Sequence, residues 1–134
     1  MKKVSLICDS NRNDVIKFEN FLAEVNKDFN LSQEKLINFQ IASSEALINA
    51  IVHGNKQDPD KKVFIEIRYD DTFLELLIKD QGEGFDVSKL PDPTNNENIL
   101  KEHGRGVYII RSLVDDYKYF SDSSGTTCIL SVKK

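Results

Sequence analysis

The most informative stretch of the chain runs from Glu45 to Gly54 and reads EALINAIVHG. It is predicted to close an amphipathic helix that begins after Ser32 and runs to about His53, because apolar residues recur there at helical spacing. Ser32 is a suitable N-cap, and Gly54 is expected to provide the C-terminal cap. A spacing of four then places Glu45, Asn49 and His53 on one stripe of the helix.

Asn49 is an unusual residue for a helix interior, because its amide competes with the backbone for hydrogen bonds. A stripe of small residues lies beside it: Ala42, Ala46 and Ala50. An amide oxygen suits Mg²⁺, and a carboxylate one turn earlier, at Glu45, can accept a proton from an attacking hydroxyl. The alternatives are a solvated helix face and, for His53, a favourable position near the negative end of the helix dipole. The core-facing stripe is predicted to consist of Ile37, Ile41, Ile48 and Val52.

A second motif, DQGEG from Asp80 to Gly84, follows a predicted β-hairpin over residues 62–80 with its turn at Asp70-Asp71. Asp80 has the parity of the apolar side chains, so its carboxylate is predicted to point to the core side of the strand end. A buried carboxylate needs a partner, which is either the backbone of the turn or a ligand amine such as the amino group of adenine. Gly82 and Gly84 would let a flat base approach the backbone closely.

A third motif, Gly104-Arg105-Gly106, opens a helix predicted over residues 106–115. Free N–H groups at a helix start attract phosphate, and Arg105 can add a charge-assisted contact. The alternative is a glycine-rich helix entrance with solvated basic residues. Residues 85–103 form a predicted loop whose length is typical of a lid or of a disordered segment. The chain has neither a Walker A loop nor a Rossmann fingerprint.

Composition places this 134-residue chain with single-domain globular proteins, and the domain is expected to span residues 1–134. The net charge is −4 and the basic residues are scattered, so direct nucleic-acid binding is not expected. We expect a cytoplasmic protein with no membrane segment, in which Cys8 and Cys128 are reduced residues of strands.

Asp9, Ser10 and Asn11 are expected to cap a first helix. Residues 117–121 and 126–133 are predicted to form closing strands. Thr126 shares the parity of Cys128, so its hydroxyl could reach the Asp80 region if that face is inward; the alternative is an ordinary strand threonine.

The three motifs resemble the N, G1 and G2 boxes of the GHKL ATPase superfamily, the Bergerat-fold group that includes histidine-kinase ATP-binding domains. More narrowly, they resemble those of the bacterial anti-sigma-factor serine/threonine kinases. The matching segments are EALINAIVHGN from Glu45, DQGEGFD from Asp80, DPT from Asp92, EN from Glu97 and GRGV from Gly104. The resemblance implies an α+β fold, a Bergerat-type two-layer α/β sandwich. Its sheet would be mixed but mostly antiparallel, with helices on one face and a mobile ATP lid at about residues 85–103.

The resemblance also implies roles for individual residues. Asp80 would hold the adenine amino group with help from Thr126, Asn49 would bind Mg²⁺, and Glu45 would activate a serine or threonine hydroxyl. The glycine turns would line the base and phosphates of ATP: Gly82, Gly84, Gly104, Arg105 and Gly106. The implied protein substrate is a STAS-type anti-anti-sigma protein, the implied second partner is a sigma factor, and the kinase is implied to act as a homodimer.

Two positions depart from the family pattern. A basic residue of the first helix commonly grips partners in these kinases, and Lys17 is the nearest candidate here. Ile48 stands where many members have Thr. Two other functions stay open on the sequence: a non-catalytic ATP-binding module that sequesters a partner, and a detached ATP-binding domain of a histidine kinase.

Overall fold

A computed structural model describes residues 1–83 and 109–134 of the chain. The elements are β1 (Lys2–Asp9), α1 (Asp14–Phe29), α2 (Gln33–Asn49), one π-helical turn (Ala50–Gly54), β2 (Lys62–Tyr69), β3 (Phe73–Lys79), β4 (Asp116–Asp122) and β5 (Gly125–Lys133). Residues 109–113 are also helical. The predictions for Gly84, for the loop 85–103 and for Gly104, Arg105 and Gly106 lie outside the described residues.

The five strands form one sheet in the order β1-β2-β3-β5-β4, and each of its four pairings is antiparallel. The predicted hairpin of β2 and β3 is confirmed, with Ile65 opposite Ile78. Ile78 in turn lies opposite Cys128 of β5. The register therefore brings the residue after β3, Asp80, beside Thr126 at the start of β5. The α+β prediction with a mostly antiparallel sheet is confirmed, whereas the described strands contain no parallel pairing of the kind that a mixed sheet would have.

The helices cover one face of this sheet. On β3 every second residue is buried in the core, namely Leu74, Leu76 and Ile78. The helix α1 contributes the face that its three-four spacing predicted: Phe18, Leu22, Val25 and Phe29. Burying a large apolar side chain stabilises the fold by roughly 1.5–3 kcal/mol, so this layer of side chains supplies most of the driving force. The opposite face of the sheet carries exposed apolar residues, including Ile7 and Phe64.

The core-facing stripe of α2 differs from the one predicted. Ile37 and Ile41 are each 48% exposed, whereas the small-residue stripe is buried. The buried residues of this helix are Phe39, Ala42, Ser43, Ala46 and Leu47. Both stripes are apolar, so hydrophobicity alone cannot choose between them. The alanines let the helix backbone approach the sheet closely, and the Ser43 hydroxyl is satisfied by donating to the Phe39 carbonyl at 2.6 Å.

Three smaller predictions concern the helix caps and the two cysteines. The Ser32 side chain caps α2 by accepting from the Lys35 amide at 3.4 Å, as predicted. Cys8 and Cys128 are free and buried, also as predicted. None of the residues proposed to cap α1 is its N-cap, because that helix begins at Asp14 after Asn13, which makes no side-chain capping bond; Asn11 Oδ1 accepts from the Asn13 backbone amide, at 2.8 Å, just before the helix. Among residues 1–83 and 109–134, no helix has the length and apolar character needed to span a bilayer.

Candidate functional site

Asp80 is a buried carboxylate at the end of β3, with 4% of its surface exposed. Its Oδ1 accepts from the backbone amides of Gly82 and Thr126, each at 3.0 Å. Its own amide donates to the Thr126 carbonyl at 2.9 Å. Burial raises the pKa of this carboxyl above its ordinary value, and the two backbone donors only partly oppose that effect. The predicted inward orientation is confirmed, and both described hydrogen bonds to the carboxylate end on Oδ1.

Three glycines bring backbone into direct contact with Asp80 and with one another. A Cβ atom on Gly54 would lie 2.2 Å from Asp80 Oδ2, and one on Gly82 would lie 2.1 Å from the Gly54 carbonyl oxygen. A Cβ on Gly125 would lie 2.2 Å from the Asp80 carbonyl oxygen, and the φ of Gly125 is +136°. These contacts define a glycine cradle, formed by Gly54, Gly82 and Gly125 around Asp80. No larger residue fits there without moving backbone or the carboxylate.

Gly54 does not have its predicted role of C-terminal cap. The chain reverses instead at Lys56 and Gln57, whose φ angles are 53° and 57°. The backbone N–H of Asn55 closes the π-helical turn by donating to the Ala50 carbonyl at 2.8 Å. Gly54 is required for a different reason, which is its contact with the Asp80 carboxylate.

The α2 residues of the site lie next to this cradle. Asn49 is the last residue of α2, and the π-helical turn that follows it contains Gly54. Both Asn49 and Glu45, one turn earlier, are half-buried. Since Gly54 touches Asp80, the carboxyl end of α2 and the end of β3 meet at one edge of the fold.

His53 does not continue the stripe formed by Glu45 and Asn49. A π-helical turn contains more residues than an α-helical one, so a residue inside it leaves the α-helical phase. His53 is exposed, whereas the other two residues are half-buried. The prediction of a single stripe therefore holds for Glu45 and Asn49 only.

Thr126 reaches Asp80 through its backbone rather than its side chain. Its backbone amide donates to Asp80 Oδ1, while its hydroxyl shares a 2.9 Å hydrogen bond with Ser121.

Within the described parts of the chain, no three His, Cys, Asp or Glu side chains gather in a way that would hold a metal ion. The predicted metal ligand, Asn49, is a single amide at the end of α2.

Lys17, the candidate for gripping a partner, is an exposed residue of α1. Its ammonium donates to the Ile7 carbonyl of β1 at 3.0 Å. Since β1 is an edge strand, this contact covers part of the exposed strand edge.

Sequence reasoning missed a buried polar cluster beside the cradle. Asn55 is 0% exposed, and its side chain bonds to Ser10, to Lys62 and to Gln81. Ser10 was expected to cap a helix, but its hydroxyl donates to the Lys61 carbonyl at 2.6 Å. The sequence offered one signal for this cluster: two residues with side-chain amides, Asn55 and Gln81, directly follow Gly54 and Asp80.

The chain matches the family model described as histidine kinase-like ATPase domain over residues 9–132. It is 34% identical over 99 residues to an anti-sigma F factor of Shouchella clausii, covering 72% of this chain and 68% of that protein. It is also 34% identical over 112 residues to the serine-protein kinase RsbW of Staphylococcus epidermidis, covering 77% of this chain and 69% of that protein.

Solved structures show the same fold at low sequence identity. The crystal structure of the RsbU and RsbW domains of a Mycobacterium tuberculosis protein superposes with a TM-score of 0.72 at 16% identity, covering 98% of this chain and 32% of that one. The mycobacterial sensor histidine kinase MprB superposes with a TM-score of 0.57 at 17% identity, covering 97% of each chain.

Proposed function

The chain belongs to the histidine kinase-like ATPase family, in the group that contains anti-sigma factors and RsbW-type serine kinases, and we propose that it is an ATP-dependent protein serine/threonine kinase. The observation that carries this proposal is the buried Asp80 carboxylate in its glycine cradle, in contact with the π-helical turn that follows α2. A buried carboxylate costs free energy unless it gains hydrogen-bond partners. Among the described residues Asp80 has two backbone donors, both on Oδ1, and a ligand that donates to Oδ2 would lower that cost further.

The proposed ligand of Asp80 is the exocyclic amino group of adenine. Oδ1 already accepts two backbone N–H groups, so Oδ2 is the oxygen assigned to the ligand. Guanine carries an oxygen at that position and would place an acceptor against an acceptor. A site built around a buried hydrogen bond rejects ligands that leave its polar group unpaired.

The remaining ATP contacts are proposed from the family motifs. Gly82 and Gly84 would face the base, and Gly104, Arg105 and Gly106 would hold the phosphates. Asn49 would bind Mg²⁺, which usually takes few protein ligands and keeps waters and phosphate oxygens. That preference fits a single amide at a helix end. When bound, Mg²⁺ would neutralise charge on the phosphates.

Glu45 is the proposed general base. It lies one helical turn before Asn49 and is half-buried, so its carboxylate is on the side of α2 that carries the proposed metal ligand. It would accept the proton of a serine or threonine hydroxyl as that oxygen attacks the γ-phosphate. Because phosphoryl transfer depends on positioning and electrostatics, this one proton acceptor is all the acid–base chemistry required.

The proposed protein substrate is a STAS-type anti-anti-sigma protein, and the proposed second partner is a sigma factor that the kinase sequesters. The relatives named anti-sigma F factor support the second assignment. We further propose that the kinase acts as a homodimer, with no direct contact to nucleic acid or membrane.

The test has two stages. Calorimetry with Mg–ADP measures binding, and labelled ATP with a STAS-domain protein from the same organism then measures phosphate transfer. Glu45→Gln should bind ADP within about twofold of the unmodified protein but transfer phosphate at least about 100-fold more slowly, the usual scale for a general base. Equal transfer would remove Glu45 from this role. Binding without any transfer by the unmodified protein would favour a sequestering module, and no binding would refute the nucleotide site.

A further inference from the structure

Asn55 is a fully buried polar side chain with no place in the proposed ligand contacts. Its Nδ2 donates to Ser10 Oγ and to the Lys62 carbonyl, each at 2.9 Å. Its Oδ1 accepts from the Gln81 amide at 2.7 Å. Both N–H groups of the side chain are used, so the amide is satisfied in the way that a buried polar group requires.

The orientation of this amide is fixed by its backbone partners. The Lys62 carbonyl can only accept a hydrogen bond, and the Gln81 amide can only donate one. Turning the side chain over would face a donor with a donor and an acceptor with an acceptor. Asn55 therefore has one orientation, and no other residue type offers a donor and an acceptor with the same reach.

The cluster ties together the segments that hold Asp80. Asn55 directly follows Gly54, and Gln81 directly follows Asp80, so one hydrogen bond joins two segments whose preceding residues touch. A second link runs from the Lys62 amide to Gln81 Oε1 at 2.7 Å. The start of β2 is thereby bonded to the turn after β3 directly through the Gln81 side chain. It is also linked through Asn55, which bonds to both the Lys62 carbonyl and the Gln81 backbone amide.

We propose that Asn55 is a positioning residue, which fixes the Asp80 carboxylate in the place where it recognises the adenine amino group. The inference rests on the proposed nucleotide site. Without the Asn55 side chain, the Gln81 backbone amide loses its partner. The turn is then tied to β2 only through the Gln81 side chain, and Asp80 is held less firmly against Gly54. Binding would then require the turn to be ordered again, and that ordering reduces affinity.

The test is designed to separate positioning from overall stability. Asn55→Ala removes the side-chain hydrogen bonds to Ser10, Lys62 and Gln81. Leu74→Ala is the matched control, since Leu74 is 1% exposed and lies at the end of β3 that is far from Asp80. Both variants lower the melting temperature. Calorimetry well below that temperature compares ADP with the diphosphate of purine riboside, which lacks the amino group.

We expect the unmodified protein to prefer ADP by at least about tenfold, the scale of one hydrogen bond to a charged group. Asn55→Ala should lose most of that preference by weakening ADP alone, whereas Leu74→Ala should keep it. Ser10→Ala removes one acceptor of the Asn55 amide and leaves the Gln81 contact, so a smaller loss in the same direction is expected. An unchanged preference in both Asn55→Ala and Ser10→Ala would overturn the proposal.

A nucleotide-free measurement keeps this inference separate from the proposed function. Carboxyl NMR titration of Asp80 should show a pKa above the ordinary range in the unmodified protein, because the group is buried. Asn55→Ala should lower that pKa toward the ordinary value as water reaches the carboxylate, and Leu74→Ala should leave it in place. If the unmodified protein bound no ADP, the proposed function would fail while the titration still decided the role of Asn55. If Asn55→Ala did not fold, Ser10→Ala would carry both measurements.

Discussion

The two ends of β3 carry two aspartates with the same kind of hydrogen bonding and opposite pKa shifts. Asp70 Oδ1, before the strand, accepts from the backbone amides of Thr72 and Phe73, each at 2.9 Å. Asp80 Oδ1, after the strand, accepts from two backbone amides at 3.0 Å. The pKa of Asp70 is lowered, chiefly by its backbone donors, whereas burial raises the pKa of Asp80.

Asp70 Oδ1 also accepts from the Thr72 hydroxyl at 3.2 Å, but the largest cause of the raised pKa of Asp80 is its loss of access to water. Asp70 is exposed, so its charge keeps its hydration and the two amides lower its pKa further. Asp80 loses hydration that two amides do not replace. The first aspartate therefore closes an exposed turn, while the second is a buried carboxylate whose two described backbone donors both bond to Oδ1.

The largest effect is expected from Asp80→Asn. The asparagine side chain has one neutral oxygen in place of the two carboxylate oxygens. If that oxygen accepts from the backbone amides of Gly82 and Thr126, the NH₂ group faces the amino group of adenine. ADP affinity should fall at least about 100-fold, which is the cost of losing a charged hydrogen bond and leaving a buried donor unpaired. Calorimetry measures this, with Asp70→Asn as the matched control at the other end of β3. Equal ADP affinity in both variants would end the distinction between the two aspartates.

Gly54→Ala tests the cradle itself. The new methyl would lie 2.2 Å from Asp80 Oδ2, so the carboxylate must move, at a cost of about 1–3 kcal/mol in the free energy of unfolding. ADP binding should weaken along with stability. In the double variant Gly54→Ala/Asp80→Ala the clash is removed, so stability should recover while binding does not. Two independent, additive losses in this double-mutant cycle would mean that the residues do not interact.

The opposite pKa shifts predict opposite pH dependences. The folded-state pKa of Asp80 lies above its unfolded value near 3.8. Its cost to stability is therefore absent below pH 3.8, grows as the pH rises, and is complete above the folded-state pKa. For Asp70 the folded-state pKa is the lower one, so its contribution is complete above the unfolded value and is lost as the pH falls through the folded value.

Urea unfolding between pH 3 and pH 8 measures these contributions, when each aspartate is compared with its asparagine variant. The free energy of unfolding of the unmodified protein, relative to that of Asp80→Asn, should fall as the pH rises. The corresponding difference for Asp70→Asn should have the other sign. Parallel curves for the two variants would contradict the assignment.

Much of the fold could be predicted because its pattern is local. The alternation of aliphatic residues with Phe64, Glu66 and Arg68 predicted β2. The alternation in β3 placed Asp80 correctly on the inward face of Ile78. The buried face of α1 followed from three-four spacing. The stripe of α2 could not be chosen this way, because whether Ala42 or Ile41 faces the sheet depends on how closely two backbones approach.

The site was less predictable, because it too depends on how closely segments that are distant in sequence approach one another. The sequence indicated that Gly54 matters, but as a cap; only the position of the Asp80 carboxylate, distant in sequence, reveals the contact that requires a glycine. The π-helical turn, which takes His53 off the stripe of Asn49, has no spacing signal of its own. Asn55 acquires its role from Ser10 and Gln81, which are far away along the chain. Contacts of this kind depend on tertiary structure, which single-sequence patterns do not encode.

The smallest effect is expected from Asp70→Asn, and its smallness carries information. The asparagine oxygen can still accept from Thr72 and Phe73, so the turn between β2 and β3 keeps its geometry. Only the benefit of the charge is lost, and at an exposed position that benefit is reduced by solvent. We expect a slightly lower melting temperature at neutral pH and an unchanged ADP affinity. A loss of binding here would mean that the far end of the sheet is coupled to the site, and the contrast in burial between the two aspartates would then not explain their different roles.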